Sequence, residues 1–421
     1  MQNLLYLCAL FGCIDLNLIT LILSIAILFG LTDFLTERYP RLQRDIYYIA
    51  FGVIAFLFII KYYYGPDIWN YARFYALVGS PAEVLAHPEN IPFHYESGFA
   101  LFCSVLKQWG LSFYWMTVVQ TLLYFGVIGF VFSKIARKRS FALALLVVLD
   151  FNLIYIEYRQ CLAVAAFLMM VLCMDSKKYL WTLLFAFLAI SFHKSGVIAV
   201  VPTVLYYLIS NRHTKASLFQ VILILLVLMF VLPVTQVSTA FLQHLPIPES
   251  VLASVEHHVL LGKQVQIIFV LYVTLLLCLV HYVQYSKSKV QTIAAAAIIG
   301  LLLIAVFYQY YYLLNRLRSY FTPLIIVFLF RQVQEAEDKQ VHVPYGAFAK
   351  QLACVIGLVY MLHTTYALHR STQSMKHKVC ETCTVFDLID HRPVDVQKSQ
   401  MRKAELWWIE DFMKDETNRI H

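Results

Sequence analysis

Several basic side chains lie at the ends of long apolar runs in this sequence. Placing a charged residue at or near membrane depth costs free energy, so such residues often have a function. Arg159 lies at the turn between two such runs, His193 lies at the turn between two others, and Arg316 and Arg318 precede a further run. A guanidinium binds phosphate oxygens bidentately, and a helix that starts at Arg159 adds its N–H groups for the same anion. Histidine could act as a base or stabilise a leaving phosphate. These residues therefore predict a phosphate or diphosphate site.

Two carboxylates occupy comparable turns. Asp67 follows the second apolar run, and Glu96 precedes a further helical segment. Such carboxylates could orient or activate a sugar hydroxyl. Structural interpretations stand beside these functional ones: Arg159 and His193 could contact lipid headgroups, Asp67 could cap a helix, and Glu96 could complement a helix dipole.

The amino-acid composition indicates which kind of secondary structure positions these residues. Hydrophobic residues make up 61% of the 421 and charged residues 14%, whereas soluble domains average about 45–50% apolar and about 25% charged residues. This excludes an ordinary soluble enzyme, a disordered chain and a coiled coil. The apolar runs are long and unbroken, so we expect an all-α, polytopic integral membrane protein. The net charge of +8 comes from short basic clusters between the runs, so nucleic-acid binding is not expected.

A transmembrane helix needs about 20 apolar residues. The sequence predicts about twelve such helices, with a range of about ten to thirteen. They cover residues 5–32, 46–63, 112–133, 140–157, 160–174, 179–193, 195–210, 218–240, 265–284, 290–308, 314–330 and 348–367.

The distribution of Lys and Arg predicts the orientation of these helices. Basic clusters recur within residues 38–44, 134–139, 177–178, 212–215, 287–289 and 331–350. Because basic loops stay in the cytoplasm, both termini and all the candidate site residues are expected on the outer face. Residues 96–109 are moderately apolar and contain Lys107, so we expect an interfacial helix there on the outer face.

The predicted domains are a membrane-embedded catalytic domain at residues 1–367 and a polar tail at residues 368–421. The tail contains Cys380 and Cys383 near His377. A single CxxC pair is weak support for zinc or for a disulfide, and no metal site is expected.

At the candidate residues the sequence resembles the EpsG/Wzy-type polysaccharide polymerases. The resemblance covers about residues 60–325 and leaves out the tail. Its motifs are Asp67-x-x-x-Tyr71, Glu96 with Gly98-Phe99, Arg159-Gln160-x-x-Ala163, Phe192-His193-x-Ser195, and Arg318 before Tyr320-Phe321.

The resemblance implies an activity similar to that of membrane-embedded glycosyltransferases with polyprenyl-diphosphate donors. Such a polymerase transfers a growing glycan from undecaprenyl diphosphate to the non-reducing-end sugar of a new lipid-linked repeat unit. The reaction takes place on the outer face of the bacterial inner membrane and uses no metal or other cofactor. A chain-length regulator and a flippase are the implied partners, besides membrane lipid.

The resemblance also implies roles for individual residues. Arg159 and Arg318 would bind the diphosphate, with Arg316 as a neighbour of Arg318 on another face of the helix, because residues two apart do not share a helix face. His193, Asp67 and Glu96 would be the catalytic residues, with His193 near the diphosphate or the attacking hydroxyl and the carboxylates on the sugar side. The residues expected to line the substrate are Tyr71, Gln160 and Tyr320.

Three other functions remain open from the sequence. An O-antigen ligase uses the same donor with a different acceptor. A flippase would place charged residues within its spans along a path and would often contain repeated halves. A membrane acyltransferase would need a histidine deeper in the core or near the cytoplasm. The Arg-Gln and Phe-His motifs favour the polymerase.

Overall fold

The computed structural model describes residues 18–62, 67–135, 137–210, 292–306, 311–338 and 383–384. In these ranges nearly all regular structure is helical, so the predicted all-α class is confirmed for the described part of the chain. The helices are α1 (Leu18–Leu35), α2 (Pro40–Ile59), α3 (Asp67–Leu77), α4 (Pro81–Ala86), α5 (Ser97–Gln108), α6 (Phe113–Phe132), α7 (Arg139–Leu149), α8 (Phe151–Tyr155), α9 (Tyr158–Asp175), α10 (Tyr179–Phe192), α11 (Gly196–Ser210), α12 (Thr292–Val306) and α13 (Tyr311–Asp338). Two 3-10 turns, Pro88–Asn90 and Pro92–His94, lie between α4 and α5.

Three of the described helices are long and apolar enough to cross a membrane. They are α2, α6 and α9. At about 1.5 Å per residue, the 20 residues of α2 and of α6 extend about 30 Å, which is the thickness of a hydrocarbon core. Shorter apolar helices cover 21–35, 139–149, 179–192 and 196–205. The chain is a membrane protein by these criteria.

Three predicted spans differ from the helices observed. The span predicted at 46–63 is observed as α2 at Pro40–Ile59, because a proline can occupy the first turn of a helix, and Lys61–Tyr62 near the predicted end form a strand instead. Residues 140–157 do not form one helix, because α7 ends before Asp150 and α8 begins after it. Asp150 itself has a non-helical backbone conformation, with φ −111° and ψ 25°, and this separates the two helices. Helix α13 continues to Asp338 rather than ending near 330, because Gln, Glu and Ala sustain a helix after the apolar run ends. The predicted spans 218–240, 265–284 and 348–367, and the start of the first, lie outside the described residues.

The described chain divides into two compact units, residues 1–161 with 330–421 and residues 162–329. In the first unit α1 packs along α7, with Gly30 at their contact: a Cβ on Gly30 would lie 2.9 Å from that of Ala144. The Asp33 carboxylate accepts a hydrogen bond of 2.8 Å from the Phe141 N–H near the start of α7. Gln43 of α2 donates to the Asp33 carbonyl at 2.7 Å. These contacts fix α1, α2 and α7 to one another.

A short antiparallel strand pair joins distant parts of the first unit. β1 (Lys61–Tyr62) pairs with β2 (Cys383–Thr384). The polar tail therefore contributes at least one segment that pairs with the chain just after α2.

In the second unit, α11 packs against both α10 and α12. Helices α12 and α13 approach closely at Gly300, where an added Cβ would lie 2.3 Å from the Cβ of Phe321. The Phe167 ring of α9 packs edge-on against the Phe321 ring, with the ring centroids 5.2 Å apart. Small residues allow this kind of backbone approach between membrane helices.

Candidate functional site

An ion pair joins two of the predicted site residues in the first unit. Arg159 Nη1 donates to Glu96 Oε2 at 2.6 Å, across 63 residues of sequence. Arg159 is the second residue of α9, and Glu96 immediately precedes α5. The exposed fractions of the two side chains are 22% and 8%, so little water competes for the pair. Charge-assisted hydrogen bonds of this length are strong ones.

Aromatic rings surround the guanidinium of Arg159. The ring centroid of Tyr95 lies 3.9 Å from Cζ, and that of Tyr71 lies 5.9 Å from it. Tyr71 in turn lies 5.1 Å from the ring of Tyr158. A guanidinium on an aromatic face gains a cation–π attraction that grows as water is excluded. Arg159 is therefore held by a carboxylate and by ring faces together.

Arg159 still has hydrogen-bonding capacity beyond this pair. Its Nε is buried and has no hydrogen-bond acceptor among the described residues. A buried N–H without an acceptor is costly, so a bound anion would improve the site. The Glu96 carboxylate offsets the positive charge, so an anion bound here would be held mainly by hydrogen bonds to the guanidinium and less by net charge.

Helix α3 forms one wall beside this cluster. Tyr71 is 5% exposed, and Phe74 stacks on Phe99 of α5 with ring centroids 5.5 Å apart. The Tyr75 hydroxyl donates to the Leu111 carbonyl at 2.7 Å. Burial raises the pKa of Tyr75 to about 12, so this phenol remains a neutral donor at neutral pH.

The other predicted residues near Arg159 take varied places. Asp67 is the first residue of α3, and its side chain lies outside the described part of the structure. Gln160 follows Arg159 in α9 and is buried, as is Tyr71. Both were predicted to line the substrate, and the structure places both side chains inside the protein.

A second set of predicted residues lies in the second unit and centres on His193. Nδ1 of His193 lies 2.7 Å from Ser195 Oγ and 3.2 Å from the Ser195 backbone nitrogen. Ser195 Oγ lies 3.0 Å from the hydroxyl of Tyr320. His193 is 9% exposed and Tyr320 is fully buried. The three side chains form a continuous hydrogen-bonded chain.

The local sequence explains the turn that carries His193. Helix α10 ends at Phe192, and His193 has an extended backbone conformation. The Gly196 N–H donates to the His193 carbonyl at 2.8 Å. A Cβ on Gly196 would lie 2.5 Å from the Ala189 carbonyl oxygen, so only glycine fits without a shift of the backbone. This glycine lets α11 start immediately beside the end of α10.

The two predicted arginines of α13 differ in exposure. Arg316 is exposed, whereas Arg318 is half-buried. The Arg318 carbonyl accepts a hydrogen bond from the Thr322 hydroxyl at 2.9 Å. Arg318 is thus the more buried of the two, and residues two apart on a helix point in different directions.

Sequence reasoning missed two contributors. Tyr95 precedes Glu96 directly, and its ring makes the closest aromatic contact to Arg159. Ser195 was part of a motif but was given no role. A serine two residues after a histidine at a helix end was the available signal for the Ser195 contact, whereas no spacing rule links Tyr95 to a residue 64 positions away. In the described residues, no group of three or more His, Cys, Asp or Glu side chains could hold a metal ion.

Comparison with known proteins assigns a family. The sequence model of the EpsG family matches residues 46–378. The chain belongs to the EpsG family. This match spans both site clusters and confirms the family resemblance of the motifs. Membership associates the chain with glycosyltransferase-like polymerase activity on polysaccharide. Searches of curated proteins and of solved structures gave no match.

Proposed function

We propose that this EpsG-family chain polymerises a bacterial surface polysaccharide on the outer face of the inner membrane. The donor is a glycan on undecaprenyl diphosphate, and the acceptor is the non-reducing-end sugar of a new lipid-linked repeat unit. The observation that carries this proposal is the Arg159 site: a guanidinium fixed by Glu96 and Tyr95, with a buried Nε still in need of an acceptor. Diphosphate supplies such acceptors.

The proposed chemistry assigns one task to each group. The anomeric carbon of the donor sugar forms a bond with the acceptor oxygen, and its bond to the diphosphate breaks. The electron pair of that bond leaves with the diphosphate, which Arg159 and Arg318 stabilise as its charge develops. The acceptor proton goes to a carboxylate, Asp67 or Glu96.

The proposed architecture includes more membrane crossings than the helices that the structure describes. We propose about twelve membrane crossings in a fold related to other membrane-embedded polyprenyl-diphosphate glycosyltransferases, with the tail at 368–421 as an appendage. The basic clusters at 38–44 and 134–139 support a cytoplasmic location for those loops. This orientation puts the ends of α9 and α10 that carry Arg159 and His193 on the outer side.

Reconstitution with a lipid-diphosphate-linked repeat unit tests the proposed function. We expect the wild-type protein to produce a ladder of glycan multiples and the Arg159→Lys variant to lose it, since lysine cannot bind diphosphate bidentately and stacks poorly on Tyr95. The loss should be about 100-fold or more. Arg73→Lys is a matched control, because Arg73 is exposed and its guanidinium lies 5.8 Å from the Phe93 ring.

Each other result has a clear meaning. A full ladder from the folded Arg159→Lys variant would contradict the diphosphate role of Arg159. Transfer to a separate lipid acceptor without a ladder would identify a ligase. No transfer by wild type, with lipid-linked oligosaccharide moved across vesicles, would identify a flippase.

A further inference from the structure

The hydrogen bonds around His193 determine which ring nitrogen carries the hydrogen. The Ser195 backbone N–H points at Nδ1 from 3.2 Å, and a backbone N–H can only donate. Nδ1 is therefore an acceptor. In a neutral imidazole one nitrogen accepts and the other bears the hydrogen, so Nε2 of His193 is the N–H.

The neighbouring hydroxyls agree with this tautomer. Because Nδ1 accepts, Ser195 Oγ at 2.7 Å must donate to it. The Ser195 oxygen then accepts from the Tyr320 hydroxyl at 3.0 Å. The two hydroxyl donors therefore point the same way, from the phenol through the serine to the imidazole, and the Ser195 backbone N–H donates to the same Nδ1.

Burial protects this arrangement from water. Tyr320 is fully buried and Ser195 lies at a half-buried turn. The Phe167 ring makes an edge contact with the Tyr320 ring at 5.6 Å, which limits where the phenol can move. A buried hydrogen-bond chain is less exposed to competition from water than a solvent-exposed chain, so it keeps a single arrangement of donors and acceptors more firmly.

We propose that Ser195 and Tyr320 are positioning residues that hold His193 in the Nε2–H tautomer, so that His193 is a hydrogen-bond donor to the departing diphosphate and not the base. This inference rests on the proposed function. The bond from the anomeric carbon to the diphosphate breaks, its electron pair stays on the diphosphate oxygen, and Nε2–H stabilises that oxygen. The proton of the acceptor hydroxyl goes to a carboxylate, as proposed above.

Substitution of His193 by two amides separates a donor from a base. Glutamine places an amide N–H near the position of Nε2, whereas asparagine places its amide near Nδ1. A donor role predicts that His193→Gln retains clearly more polymerisation than His193→Asn or His193→Ala, which should lose about 100-fold or more. If His193 were the base, the glutamine and alanine variants would be equally inactive. Equal loss in folded variants would therefore overturn the proposal.

Changes at the two positioning residues provide the second measurement. Ser195→Thr keeps the hydroxyl and should retain activity, whereas Ser195→Ala and Tyr320→Phe remove one member of the chain each. We expect both of these variants to lower kcat more than they raise KM, with the larger loss for Ser195→Ala.

The tautomer itself can be observed without turnover. Nitrogen-15 NMR of histidine-labelled protein in lipid, with the His193→Gln spectrum subtracted, should show Nε2–H alone in wild type and a mixture of tautomers in Ser195→Ala. An Nδ1–H signal in wild type would contradict the inference even if the protein polymerises glycan. If wild type makes no polymer while Nε2–H is found, the proposed function and the diphosphate role fail, and the hydrogen-bond assignment stands.

Discussion

At the scale of single residues, the pairing of Arg159 with Glu96 changes what each can do. Glu96 was expected on the sugar side, and Arg159 at the diphosphate. The 2.6 Å contact between them makes Glu96 an orienting group for the guanidinium first, because a carboxylate so bound is a weaker proton acceptor. Of the two predicted carboxylates we therefore propose Asp67 as the base, on chemical grounds.

The strength of this ion pair can be measured with a double-mutant cycle. We expect Glu96→Gln and Arg159→Ala to show a coupling in the free energy of unfolding of about 1–3 kcal/mol, because the pair is largely buried. Unfolding in detergent by denaturant provides the measurement. The pair Glu37 and Lys138 is the control: it is 3.4 Å long with Glu37 mostly exposed, and it should couple by less than about 1 kcal/mol. Equal couplings would contradict the buried role.

At the scale of elements, the candidate residues stand at helix ends. Glu96 precedes α5, Arg159 opens α9, and His193 follows α10. Helix ends are where a membrane protein can present polar groups without putting them in the apolar interior. The turns therefore carry the candidate site residues, while the helices between them provide the packing.

Close helix packing makes Gly300 a sensitive position. We expect Gly300→Ala to destabilise the protein by about 1–3 kcal/mol, because its methyl group would overlap Phe321 and force α12 and α13 apart. Gly126→Ala in α6 is the matched control, since a Cβ there meets nothing within 4 Å and alanine favours the helix. Melting temperatures in detergent compare them. A lower melting temperature for Gly126→Ala than for Gly300→Ala would contradict the packing.

The sequence predicts helices well here and contacts poorly. Apolar run length placed α6 within one residue at each end, at 112–133 against Phe113–Phe132, because hydropathy reports directly on the membrane. The helix break at Asp150 was not predicted, because one polar residue changes the mean hydropathy of a long apolar run very little. The contact between Glu96 and Arg159 depends on how α5 and α9 pack, which no local pattern contains.

At the scale of the whole molecule, the family match begins within α2 and extends past α13. It includes both the Arg159 cluster and the His193 cluster, and it ends before the strand at Cys383–Thr384. Strand β1 (Lys61–Tyr62) therefore lies within the match, whereas its partner β2 lies beyond the end of the match.

Cysteine labelling tests the proposed orientation of the chain. After replacement of the nine native cysteines, a cysteine at Lys194, an exposed residue beside His193, should react with a membrane-impermeant maleimide added outside. A cysteine at Arg41, in the first basic cluster, should react only after the membrane is opened. The reverse pattern would overturn the outer-face location of the site.

Helix α9 has an unusual environment for a segment long enough to span a membrane. The most apolar stretch of α9 is 83% buried within the protein, whereas the corresponding stretch of α2 is 39% buried. Lipid tails accept almost any apolar side chain, but close-packed neighbours accept few. A saturation mutagenesis screen would therefore find α2 permissive to exchanges among apolar residues and α9 restrictive all round its circumference. Natural drift in this protein should accordingly be slow along the helix that begins beside Arg159 and fast along α2.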